Sequence, residues 1–129
     1  MGIRFITLSP RSFLGERGYN IYCMAYRRHN LAPGEIFHVY NRGVDKRNIF
    51  LSQQDYARFQ HLMYLCNSDR PISLRDARET KLGVFGQERG DTLVSIGAYC
   101  LMPNHFHLLI TSNKDNGISD YMRKLLTGY

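Results

Sequence analysis

The feature that most limits the fold is a hairpin signal in the last third of the chain. Two apolar runs, Ala98-Tyr99-Cys100-Leu101-Met102 and His105-Phe106-His107-Leu108-Leu109-Ile110, meet at Pro103-Asn104. Proline lacks the N–H that a central strand needs, and Pro-Asn favours a turn, so the chain folds back there. Residues 92–101 and 105–111 become antiparallel neighbours. Alternation along the second strand sends Phe106, Leu108 and Ile110 into a core and leaves His105 and His107 together on the other face. Two imidazoles side by side on a rigid strand are half of a metal site, one step from a turn where substrate can reach it. The same spacing also suits two ordinary packed or solvent-facing histidines, so the motif needs support from its surroundings.

The rest of the chain supplies the elements that such a hairpin packs against. Residues 1–23 show no clean period and read either as an upstream extension that is not native to the domain or as a basic arm. The domain itself is residues 24–129. After a turn at Ala32-Pro33-Gly34, residues 36–42 alternate as a strand, with Phe37, Val39 and Asn41 on one face and Ile36, His38 and Tyr40 on the other. His38 lies on a mostly apolar strand and reads as packed or backbone-bonded rather than as a third ligand. Tyr40 and Tyr99 read as core or groove lining. Arg42, Lys46 and Arg47 cluster with Asn41 in and beside the following loop, where planar guanidinium donors suit phosphate.

Residues 52–66 carry the clearest helix. Ser52 and Asp55 are spaced as a capping pair, and Leu51 stands where it can staple onto Tyr56. Tyr56, Phe59, Leu62, Met63 and Cys66 form one apolar stripe, while His61 falls off it toward solvent. A short helix is expected from Ser73. The segment up to Asp91 is otherwise glycine-broken and without a phosphate-binding fingerprint. A last helix starts near Ile118, with Tyr121, Met122, Leu125, Leu126 and Tyr129 at helical spacing. Its pattern runs to Tyr129 without a cap, as if the chain stopped within an element.

Composition narrows the partners. The net charge is +6 over 129 residues, and residues 1–50 hold eight Lys/Arg against three Asp/Glu. A basic lobe of this kind suits a polyanion. No apolar run approaches the roughly 20 residues of a membrane span. The three cysteines, Cys23, Cys66 and Cys100, have neither the number nor the spacing of a disulfide framework or a zinc ribbon, and a reducing cytoplasm fits them.

Three blocks together resemble a known family. Tyr99 to Leu109 is similar to the histidine-hydrophobe-histidine motif of the one-tyrosine HUH transposases, a group that includes the REP-associated tyrosine transposases. Phe37-His38-Val39-Tyr40-Asn41-Arg42-Gly43 with Lys46 and Ile49-Phe50, and Met122-Arg123-Lys124-Leu125-Leu126-Thr127-Gly128-Tyr129, agree in the family's order. The resemblance implies an α+β fold, ferredoxin-like in outline, with helices on one face of an antiparallel sheet and incomplete at its C-terminal end. It implies Mg²⁺ or Mn²⁺ at His105 and His107, and DNA contacts at Asn41, Arg42, Lys46, Arg47 and Asn104. It further implies single-stranded DNA, with hairpin ends, as substrate, a homodimer as assembly, and cleavage and rejoining through a 5′-phosphotyrosine.

The family's nucleophilic tyrosine lies in a later helix that has no counterpart here. Tyr129, which matches an earlier family tyrosine beside a Thr-Gly step, is the weak candidate that remains. Two rival readings stay open: a DNA-binding remnant without chemistry, and a small histidine-dependent metallohydrolase. The first binds DNA without ever forming a covalent adduct; the second needs further ligands on neighbouring strands.

Overall fold

The computed structural model describes residues 4–8, 34–71, 73 and 83–129, the first stretch as backbone only. Four strands, β1 (Arg4–Leu8), β2 (Ile36–Arg42), β3 (Val94–Met102) and β4 (His105–Ser112), form one sheet in the order β1-β2-β4-β3. Every neighbouring pair is antiparallel. The histidine strand β4 is therefore interior, as its apolar run requires. Among the described residues two helices, α1 (Gln53–Leu65) and α2 (Gly117–Gly128), pack beside the sheet. The run β2-α1-β3-β4-α2 follows the first five elements of the ferredoxin-like β-α-β-β-α-β pattern.

Both helices pack on the same sheet face, so the fold is α+β, with one face covered among the described residues. Phe59, Leu62 and Met63 of α1 and Ile118, Tyr121, Met122 and Leu125 of α2 meet Phe37, Val39, Phe106, Leu108 and Ile110 of the sheet. Val39, Phe59, Leu108, Ile118, Tyr121 and Leu125 have no accessible surface. Each such side chain contributes about 1.5–3 kcal/mol by leaving water. Asn67, just past α1, ties the helix layer to the sheet. Its Oδ1 accepts the N–H groups of Leu93 and Val94 at 2.9 and 3.0 Å, and its Nδ2 donates to the Val94 carbonyl at 2.9 Å.

The α1 cap forms as its sequence predicts. The Ser52 hydroxyl accepts from the Asp55 N–H, and the Asp55 carboxylate accepts from the Leu51 and Ser52 N–H groups, both at 2.8 Å. These donors hold the Asp55 carboxyl below its usual range. The staple is different from the expected one. Leu51 is 81% exposed, and the ring that stacks on Tyr56 is Phe50, with centroids 4.7 Å apart. His61, expected in solvent, is half-buried with its ring edge-on to Phe85.

β3 also departs from simple alternation. Its register against β4 shifts between Ile96 and Ala98, which marks a bulge at Gly97. Val94, Ile96, Ala98 and Cys100 therefore do not share a face. Beyond the bulge Tyr99 and Leu101 stand opposite Leu108 and Phe106 on the helix side, while Cys100 and Met102 stand opposite His107 and His105. The Tyr99 hydroxyl accepts from Gln60 of α1, as this phase requires.

Residues 4–8 belong to the stretch read from sequence as an extension or arm. They form an edge strand in register with Tyr40 through Ile36; the remainder of 1–23 lies outside the described residues. So do Ala32 and Pro33 and, beyond Ser73, the helix expected to start there.

Candidate functional site

The face of the sheet turned away from the helices carries the candidate site. Alternation on β4 puts His105 and His107 there, both half-buried, while Phe106 and Leu108 go to the core. Antiparallel register brings Arg42, His105 and Met102 into one cross-strand row and Tyr40, His107 and Cys100 into the next. Directly opposed residues share a face, so these rows line one surface.

The two histidine rings are held differently. Their centroids are 5.0 Å apart at 84°. His105 donates through Nδ1–H to Oδ1 of Asn104 at 2.6 Å, which leaves its Nε2 as the ring's lone-pair nitrogen. His107 shares a hydrogen bond of 2.8 Å between its Nδ1 and Nε2 of His38. The His38 and His107 rings stack at 5.0 Å, and Tyr40 stacks on both, at 5.5 and 5.8 Å. Burial, and then the neighbouring His38 and His105, push the His107 imidazole below the usual histidine range. Neutral imidazole is the form that binds metal. His38 is thus neither packed in the core nor backbone-bonded. It belongs to the open face, and its bond to His107 depends on a strand register that the sequence does not display. Among the described residues, no group of three or more His, Cys, Asp or Glu side chains is arranged to hold a metal ion.

The basic loop is docked on the hairpin tip. The Gly43 N–H donates to the Asn104 carbonyl at 2.9 Å, and the Ile49 and Phe50 N–H groups donate to the Pro103 carbonyl at 2.7 and 3.0 Å. Gly43 is required because a Cβ there would overlap the Arg47 carbonyl oxygen. A 3-10 turn over Val44–Lys46 follows, with Asp45 at φ 52° and Lys46 at φ 62°. Two successive non-glycine residues in the left-handed region are strained and persist only where the surroundings hold them. The docking brings Arg42, Lys46 and Arg47, all exposed, to the same end of the sheet as His105.

Two expected site residues fall elsewhere. Asn41 is only 1% exposed, because strand alternation turns it to the helix side beside Phe106. It cannot touch a DNA strand lying on this surface. Tyr129 also lies on the helix side. Its ring packs between Phe50 and Phe59, and its hydroxyl donates to the Ile49 carbonyl. Burial raises its phenol above the ordinary range, which disfavours the nucleophilic phenolate. Asn104 remains at the site, oriented toward His105 and donating through Nδ2 to the Lys46 carbonyl at 3.4 Å.

Among the described residues no helix is long and apolar enough to cross a membrane. No curated protein and no solved structure matches the chain. Residues 55–128, more than half of the chain and the stretch that includes the histidine strand, match the family model described as "Transposase IS200 like", and the chain belongs to that family.

Proposed function

We propose that this chain acts on single-stranded DNA with hairpin ends as a one-tyrosine transposase, with His105 and His107 binding Mg²⁺ or Mn²⁺ and the 42–47 loop binding the DNA backbone. The observation that carries the reading is the joint placement of two imidazoles and three exposed cations at one end of an open sheet face. Each imidazole has its Nδ1 engaged within the protein, so the donor set fits a divalent ion approached through Nε2. Two imidazoles are a partial ligand set, and the remaining positions suit water and a phosphate oxygen. A bound ion supplies Lewis-acid polarisation of the scissile phosphate. Arg42, Lys46 and Arg47 offer phosphate contacts that fix the strand's position, and Asn104 holds the His105 ring.

In the proposed reaction a tyrosine hydroxyl, which the family resemblance puts in a later helix and which Tyr129 does not supply, forms the new O–P bond as the bond to the 3′ oxygen breaks. The products are a 5′-phosphotyrosine and a 3′-hydroxyl. A second copy of the chain, as a homodimer, and a reducing cytoplasm complete this reading. The placement of Tyr129 on the helix side favours a second reading, DNA binding without chemistry.

The test incubates the purified chain with a single-stranded hairpin oligonucleotide and Mn²⁺. Binding of DNA and Mn²⁺, with Mn²⁺ binding lost in His105→Ala and His107→Ala and DNA binding retained, supports the shared part of both readings. A covalent protein–DNA adduct selects the enzyme, and DNA binding without an adduct selects the remnant. A wild-type chain that binds neither the oligonucleotide nor Mn²⁺ overturns both.

A further inference from the structure

We infer that His38 is a positioning residue that fixes the tautomer of His107. It accepts the His107 Nδ1–H on its own Nε2 and so leaves Nε2 of His107 as the lone-pair nitrogen on the open face. The inference rests on the proposed metal-binding role of His107.

Four features of the geometry support it. The atoms that face each other are His107 Nδ1 and His38 Nε2, at 2.8 Å, so one proton lies between them and one ring must accept. His38 turns its Nε2 onto His107 Nδ1 instead of toward an ion shared with His107, in keeping with the absence of a three-ligand group among the described residues. The neighbouring ring shows the same arrangement with an unambiguous direction. Asn104 Oδ1 can only accept, so His105 carries its proton on Nδ1. With His38 as acceptor, both rings hold their protons on Nδ1 and present Nε2. Tyr40, stacked on the His38 and His107 rings, restricts their tilt.

A ligating histidine commonly donates its second ring N–H to a nearby acceptor, which fixes the ring and raises its basicity. Carboxylate, carbonyl and water are the usual acceptors. Here the acceptor is another imidazole, one strand away and outside the His-x-His motif.

The test reads the tautomer directly in the metal-free protein, by two-bond ¹H–¹⁵N correlation of the imidazole nitrogens. The expected result is a protonated Nδ1 and an unprotonated Nε2 on His107. His38→Ala should move His107 toward the Nε2–H form, and His38→Gln, whose Oε1 can accept, should restore Nδ1–H. Mn²⁺ affinity, followed by its electron paramagnetic resonance signal, should fall by about 10–100-fold in His38→Ala and recover in His38→Gln. A wild-type His107 protonated on Nε2, or a tautomer unchanged in a folded His38→Ala, overturns the inference. Failure of wild-type protein to bind Mn²⁺ refutes the metal-binding reading on which the inference rests. That outcome is told apart because the tautomer measurement contains no metal.

Discussion

Removing the three loop cations tests the DNA-binding surface quantitatively. Arg42, Lys46 and Arg47 have exposed side chains and form no ion pair among the described residues, so Arg42→Ala, Lys46→Ala and Arg47→Ala together should leave the fold intact. If each neutralises one phosphate of a single strand, each accounts for about 0.7 of the slope of log K against log salt. The triple variant should therefore show a slope shallower by about 2. Between about 50 and 200 mM salt it should lose about 20-fold less affinity than the wild type, having started from a weaker value. Fluorescence anisotropy of a labelled single-stranded oligonucleotide, repeated across that salt range, measures both quantities. Lys114→Ala with Arg123→Ala is the control, because these cations pair with Asp69 at 3.8 Å and Asp120 at 3.3 Å away from the histidine face. An unchanged slope in the triple variant, or an equal change in the control, would refute the assignment of the strand to this loop.

Three further outcomes follow from the packing and the caps. Leu108→Ala removes a side chain with no accessible surface between the sheet and both helices, and should cost about 3 kcal/mol in urea unfolding; a loss under about 1 kcal/mol would mean the site collapses or is not core. Tyr129→Phe removes the hydroxyl bond to Ile49 and should cost about 1 kcal/mol while leaving DNA binding, and any covalent adduct, unchanged; loss of an adduct would make Tyr129 the nucleophile after all. The folded Asp55 carboxyl titrates below its unfolded value of 3.8, so its contribution is fully present above that value and is lost as pH falls through the lower folded one. Asp55→Asn should remove that part of the acid destabilisation, and parallel unfolding curves for the two proteins at every pH would contradict the cap.

The parts legible in the sequence are those set by local chemistry. Pro103-Asn104 specified the turn, the alternation around Phe106 and Leu108 specified the buried face, and Ser52 with Asp55 specified the start of α1. The parts that were not legible depend on register between strands far apart in the chain. Nothing in residues 36–42 alone says that His38 stands beside Leu109, one row from His107, so its role as a ring partner was hidden. Gly97 in an apolar run does not by itself mark a bulge, and it is the bulge that turns Tyr99 to the helix side and Cys100 to the histidine side. Asn41 looked like a loop donor because it adjoins Arg42, yet the same two-residue period that displays Arg42 turns Asn41 inward. Phe50 displaced Leu51 as the staple because the docked loop, not the helix, fixes which ring reaches Tyr56.

The three main-chain bonds that seat residues 43–50 on Pro103 and Asn104 have a thermodynamic consequence. A loop that must be ordered by its ligand offsets part of every new contact against lost conformational freedom. Here the ordering is completed during folding, because carbonyls of a turn some sixty residues downstream fix the loop before any polyanion arrives. Strand capture should accordingly carry only a small unfavourable conformational entropy from the protein, leaving the flexible nucleic acid as the partner that stiffens.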